Sequence, residues 1–143
     1  MKLKDAPTAM APVLADELSG PEIRGLTEQL EQPEDPRAAW RVGYDAWREA
    51  CSEFFRIERD RLFLAEAPSP VLLRQHRYLL FRLMARGERL VLALMADSAL
   101  TDAERKQLVE QVDGILNCLK DSWHTWHGET VPAHQEMLAK FLA

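Results

Sequence analysis

The residues of this chain whose types and spacing could do chemistry are four histidines, His76, His124, His127 and His134, with Trp123 and Trp126 between them and Arg74 and Arg77 flanking His76. His124 and His127 stand three apart, so a helix turns both to one side. Histidine is a common metal ligand. Yet no cysteine or carboxylate is spaced to complete a metal set. No His-Glu-x-x-His run is present, no paired cysteines, and no Glu followed three residues later by His as in di-iron bundles. The sequence therefore assigns no metal ligand and no cofactor. A second chemistry is recognition. Arginine, tryptophan and histidine combine contact area, cation–π stacking and directed donors, the properties that dominate binding hot spots. Arg74, His76, Arg77, Trp123, His124, Trp126 and His127 are the candidate partner- or ligand-binding residues. The alternative is structural: the tryptophans close one end of a core, and the histidines and arginines form its solvated rim.

No reaction signature accompanies these residues. The chain has no glycine-rich phosphate loop, no nucleophile elbow and no haem attachment motif. Ser19 and Ser69 sit where helix caps belong. The expectation is a protein that is not an enzyme.

Proline shows which elements position the candidates. Pro7, Pro12, Pro21, Pro33, Pro36, Pro68, Pro70 and Pro132 cluster at a few points, and a proline inside a helix removes a hydrogen bond and clashes with the preceding turn. Capping signals fall at the same breaks: Ser19 with Glu22, Asp35 with Pro36, Ser69 with Pro70, Thr101 with Glu104, and Gly128 after His127. The spacing predicts helices over 20–32, 35–67, 70–98, 102–127 and 131–142. Short links make neighbouring long helices run in opposite directions. The predicted fold is all-α: an antiparallel helical bundle of three long helices with short flanking helices at both ends. Residues 1–19 read as a flexible N-terminal tail and 20–143 as a single bundle domain.

The apolar spacing agrees. Trp40, Tyr44, Trp47, Cys51 and Phe54 alternate in steps of four and three, as do Leu108, Val112, Ile115 and Leu119, with Trp126 seven further on. The helix over 70–98 is apolar more widely and belongs in the centre. Leu138, Phe141 and Leu142 give the last helix an apolar edge. Counting outward from the two turns places His76 level with Leu62 and with Trp123–His124, which gathers all four histidines at one end. The same count puts Cys51, Gly87 and Gly114 at one height, a small-residue layer that reads as close helix approach or as a pocket.

Charge narrows the partner classes. The 143 residues carry a formal net charge of -5, which argues against coating nucleic acid. Within 56–89, however, eight arginines face four acids, and no lysine is present. Arginine makes planar bidentate contacts with carboxylate and phosphate. The expected partner is a protein with an acidic or phosphorylated surface; the alternative is pairing within the chain, with Glu49, Glu53, Glu110 and Asp113. Adjacent Phe54 and Phe55, with Trp40, Trp47, Phe63 and Phe81, exceed what one seam holds, so a homodimer is a further expectation. No apolar run spans a membrane, and Asp5, Pro7 and Pro12 interrupt any leader-like stretch. Cys51 and Cys118 fit two reduced thiols, and a cytoplasmic location. The functional expectation is a non-enzymatic adaptor, chaperone-like binder or regulator, working through the Arg/Trp/His end or an outer helix face. A small-molecule or metal-binding bundle using the histidine end is the alternative.

Overall fold

The computed structural model describes residues 21–33, 39–63 and 68–128. These residues form four α-helices and no strand: α1 Pro21–Glu31, α2 Trp40–Ile57, α3 Pro70–Ala96 and α4 Asp102–His127. Helix α2 runs on into a π-helical turn, Glu58–Phe63.

Local chemistry sets most of the ends. Ser69 accepts from the Leu72 amide at 3.1 Å, with Pro70 in the first turn of α3. Thr101 and Glu104 form the predicted capping box at the start of α4: the Glu104 amide donates to Thr101 Oγ1 at 3.1 Å and the Thr101 amide to Glu104 Oε1 at 2.9 Å. Gly128 ends α4 at φ 62°, a left-handed conformation that glycine adopts without a Cβ penalty. Arg105 reaches back and donates to the carbonyls of Leu94 and Asp97 at the end of α3 and of Leu100 in the turn that follows.

The apolar faces meet in one core. Ile23, Leu26 and Leu30 of α1 are buried at helical spacing, and α1 packs on both α2 and α3. Helix α3 supplies the fully buried Leu80, Leu83, Met84 and Leu94; α4 supplies Val112 and Leu119. Cross-helix bonds fix the heights. Trp40 Nε1 donates to Asp97 Oδ2 at 2.6 Å, Tyr44 to Gln111 Oε1 at 2.5 Å, and Trp47 Nε1 to the Leu83 carbonyl at 2.8 Å.

Several expectations change. Helix α2 begins at Trp40 with no side-chain cap; the Asp35–Pro36 start and residues 64–67 lie outside the described residues, as do the 1–19 tail, the 131–142 helix and His134. The height reckoning placed His76 beside Leu62, but His76 meets Glu58, one turn earlier. That reckoning assumes a uniform advance of about 1.5 Å per residue, which the wider π-turn breaks. Of the small-residue layer, Gly87 lies at a close approach and Gly114 does not. A Cβ on Gly87 would lie 2.6 Å from Trp47 Cζ2 and 2.7 Å from Leu116 Cδ2, whereas one on Gly114 would meet nothing within 4 Å. Gly87 therefore marks close helix approach. Gly114 has the right height but the wrong side of its helix. Phe54 and Trp47 are buried within the chain, so of the aromatics that suggested a homodimer only Phe63 stands well exposed, at 57%.

Candidate functional site

Polar side chains at the core positions of three helices make a buried chain of hydrogen bonds. Glu58 opens the π-turn, at the next seam position after Cys51 and Phe54. His76 lies on the inner face of α3 between Leu72 and Leu79. Ser122 lies between Leu119 and Trp126 on α4. All three are buried, at 7%, 3% and 7% exposure. His76 Nε2 stands 2.8 Å from Glu58 Oε2, and the Ser122 hydroxyl donates to the same carboxylate oxygen. On its other side, His76 Nδ1 stands 2.9 Å from His127 Nε2.

The pairing constrains the protons. A carboxylate only accepts, so facing one the His76 ring presents hydrogen on Nε2. One of the two nitrogens in the His76–His127 contact must accept, so the two rings cannot both be fully protonated while that bond persists. Burial, then the neighbouring His76, then Arg77 push His127 down to about 4. Aromatic rings enclose the cluster. Phe54 and His127 each lie 5.1 Å from the His76 ring; Trp126 lies 6.1 Å away and packs edge-on against Phe63 at 5.0 Å. Trp123 lies tilted against His127 at 5.2 Å and packs edge-on against Phe81 at 4.6 Å.

The seven predicted site residues divide. His76, Trp123, Trp126 and His127 come together. Arg77 joins them from the surface, with its guanidinium 5.2 Å from the Trp123 ring. Arg74 and His124 are exposed and lie outside the cluster. Glu58 and Ser122 are the members that the candidate set lacked. Neither His76 nitrogen presents a free lone pair to a metal, and among the described residues no three His, Cys, Asp or Glu side chains are grouped to hold one. Ser122 directs its proton to a carboxylate, and the pairing leaves it without the histidine partner of an activated nucleophile. The indole N–H groups of Trp123 and Trp126 are buried and find no acceptor among the described residues.

Comparison with protein-family models, with curated proteins and with solved structures gives no match.

The arginines of 56–89 are largely engaged within the chain. Arg56 pairs with Glu53 and, at 3.4 Å, with Asp60; Arg59 pairs with Asp60 at 2.9 Å and Arg61 with Glu22 at 3.3 Å. Of the four acids expected as internal partners, Glu53 alone appears in these ion pairs. Arg82 and Arg86 donate to the Leu30 carbonyl, and Arg86 also to Gln32 O at 2.6 Å, satisfying orphan carbonyls at the end of α1.

A second feature lies away from the histidines. Where α1 stops, a groove of about 810 Å³ continues between the first turns of α2 and the last turns of α3. Trp40, Gly43, Ala46 and Trp47 line one wall, Leu90 and Ala93 the other, and Gln32 and Pro33 its near end. Val42 and Leu92 stand on its sides at 66% and 52% exposure, and Met95, beyond the groove on the last turn of α3, is 60% exposed. Among the described residues no helix is long and apolar enough to cross a membrane.

Proposed function

We propose that this chain is a non-enzymatic interaction protein: an antiparallel bundle of α2, α3 and α4, with α1 laid over the α2–α3 seam, that binds a protein partner through the outer face where α1 ends. The observation that carries this reading is the groove with Val42 and Leu92 exposed on its walls. Apolar surface exposed around a concave site is the pattern of an interaction surface. The bundle topology is supported by bonds that join the start of α2 to the end of α3 and the end of α2 to the start of α3. The polar residues of the histidine end are engaged with one another, which favours a structural role for them over catalysis.

A photo-crosslinking amino acid placed at Val42 or Leu92, in the full chain expressed in its native host, tests the proposal. The expected result is a discrete protein adduct at both positions and none when the probe is moved to exposed Glu110. Equal labelling at all three positions would contradict it.

A second reading rests on the unpartnered indole N–H groups of Trp123 and Trp126. A small ligand offering carbonyl or anionic oxygens at the histidine end would satisfy them. Mass spectrometry of the purified chain under native conditions separates the two readings: a retained small molecule, lost in His127→Ala, favours this one.

A further inference from the structure

One link of the buried chain cannot survive full protonation. While His76 Nδ1 and His127 Nε2 stand 2.9 Å apart, one of them must accept, so the two rings together carry at most one positive charge. A second positive charge would set N–H against N–H and break the contact. The two rings are not equally free to part. His76 is 3% exposed, lies between Leu72 and Leu79 on α3, and is bound to Glu58. His127 is the last residue of α4, where Gly128 ends the helix. A helix end opens at far lower cost than a packed helix centre. Trp123, 1% exposed, holds α4 one turn earlier. The part that can leave is therefore the final turn, 124–127, and it carries Trp126 away from Phe63, against which that indole packs edge-on at 5.0 Å.

The surroundings of His127 oppose its charged form where it stands. Burial first, then His76 and Arg77 of α3, hold it down to about 4. Arg77 keeps its guanidinium 5.2 Å from the Trp123 ring against which His127 lies. Glu58 of the π-turn faces His76, and Ser122 of α4 donates to the same carboxylate oxygen, so that negative charge is spent one ring away from His127. His124, within the turn itself, is exposed. A ring released to water regains its ordinary value of 6.5, so the released turn binds the proton more tightly than the docked one, and falling pH favours release.

We infer that acid drives His127 from its place between His76 and Trp123, unwinding the last turn of α4 and lifting Trp126 off Phe63 while the rest of the bundle stays folded. The histidine end is then a proton-operated latch over an aromatic surface, at the opposite end of the bundle from the groove.

The test follows the full chain, labelled with ¹³C and ¹⁵N, by NMR as the pH is lowered from neutral. The His127 ring should titrate with a midpoint below 6.5. At that same midpoint the ¹³Cα shifts of 124–127 should move from helical to coil values, and the cross-peaks between the Trp126 and Phe63 rings should be lost. The helical shifts of Val112, Leu116 and Leu119 should hold through it. His127→Phe keeps a ring against His76 and Trp123 but takes no proton, and His127→Gln is a second uncharged replacement; in both the last turn should stay helical over the same pH range. The latch is refuted if His127 titrates at the ordinary 6.5, or if it titrates lower while the shifts of 124–127 and the Trp126–Phe63 cross-peaks stay as they were. It is refuted too if the resonances of the whole chain change together, since the proton would then unfold the bundle rather than open one turn. Loss of the turn in both variants at the pH where the native chain loses it would overturn it as well, because a carboxylate such as Glu58 would then be the trigger.

Discussion

Replacing His76 by leucine tests the buried network most sharply. The substitution places an apolar side chain of similar length at a position 3% exposed, and removes the ring nitrogen 2.8 Å from Glu58. Glu58 is itself 7% exposed, so its carboxylate is left with the Ser122 hydroxyl as its remaining partner among those described. Leaving a buried carboxylate short of a donor costs about 3–5 kcal/mol, because the survivor stays desolvated. For a chain of this size the expected fall in Tm is roughly 10 °C or more. Glu58→Leu alone should cost less, about 1–3 kcal/mol, through the unmatched His76 and Ser122 donors. The double variant Glu58→Leu/His76→Leu should recover most of the loss, since replacing both members by apolar groups is often close to neutral. Urea unfolding followed by circular dichroism at pH 7 supplies all four corners of the cycle. A coupling energy of about 2 kcal/mol or more is expected between the two sites. Additive single effects below about 0.5 kcal/mol each would refute the reasoning, because a pair that can be dismantled so cheaply is not buried and paired as described.

Other consequences follow from the same contacts. Gly87→Ala should destabilise by about 1–3 kcal/mol, because its methyl would press on Trp47, whose indole is held by the Leu83 carbonyl. Gly114→Ala, which faces open space, should stabilise by about 0.5–1 kcal/mol; thermal melts of the two variants should move in opposite directions. Acid should weaken the fold through His127. Its folded value of about 4 lies below the ordinary 6.5, so the unfolded chain binds the extra proton, and the contribution is whole above pH 6.5 and lost as pH falls toward 4. The full displacement is worth about 3 kcal/mol, which solvent screening at a partly exposed ring reduces to roughly 1–2 kcal/mol. Urea unfolding between pH 7.5 and 4.5 should show this slope in the native chain and a shallower one in His127→Gln.

Much of this architecture can be read from spacing, and the residues show why some of it cannot. The caps at Ser69 and Thr101 and the stop at Gly128 are local chemistry, and they stand where the sequence places them. The meeting of His76, Trp123, Trp126 and His127 follows from apolar periodicity carried across short turns. Glu58 and Ser122 were equally legible in principle. Each occupies the next three- or four-residue step of a seam, after Phe54 and after Leu119, where a polar residue signals a buried pair. A step of seven from Leu119 to Trp126 passes over Ser122. Gly114 shows the limit of counting: rise per residue gives height along a helix but not the direction a residue faces. The π-turn at Glu58–Phe63 has no sequence signal, since it depends on how α2 meets its neighbours. The groove depends on where α1 stops along the α2–α3 seam, a tertiary relation absent from any one helix.

The four tryptophans divide evenly between the two candidate surfaces, Trp40 and Trp47 at the groove and Trp123 and Trp126 at the histidine end. Titrating the ¹⁵N-labelled chain with a synthetic 16-residue amphipathic peptide carrying leucine at i, i+3, i+4 and i+7, and following the chain's four indole N–H resonances, is therefore the most direct measurement. If the chain is an interaction protein working through the groove, the Trp40 and Trp47 signals shift and those of Trp123 and Trp126 hold still. Shifts confined to Trp123 and Trp126, or none at saturating peptide, would contradict it.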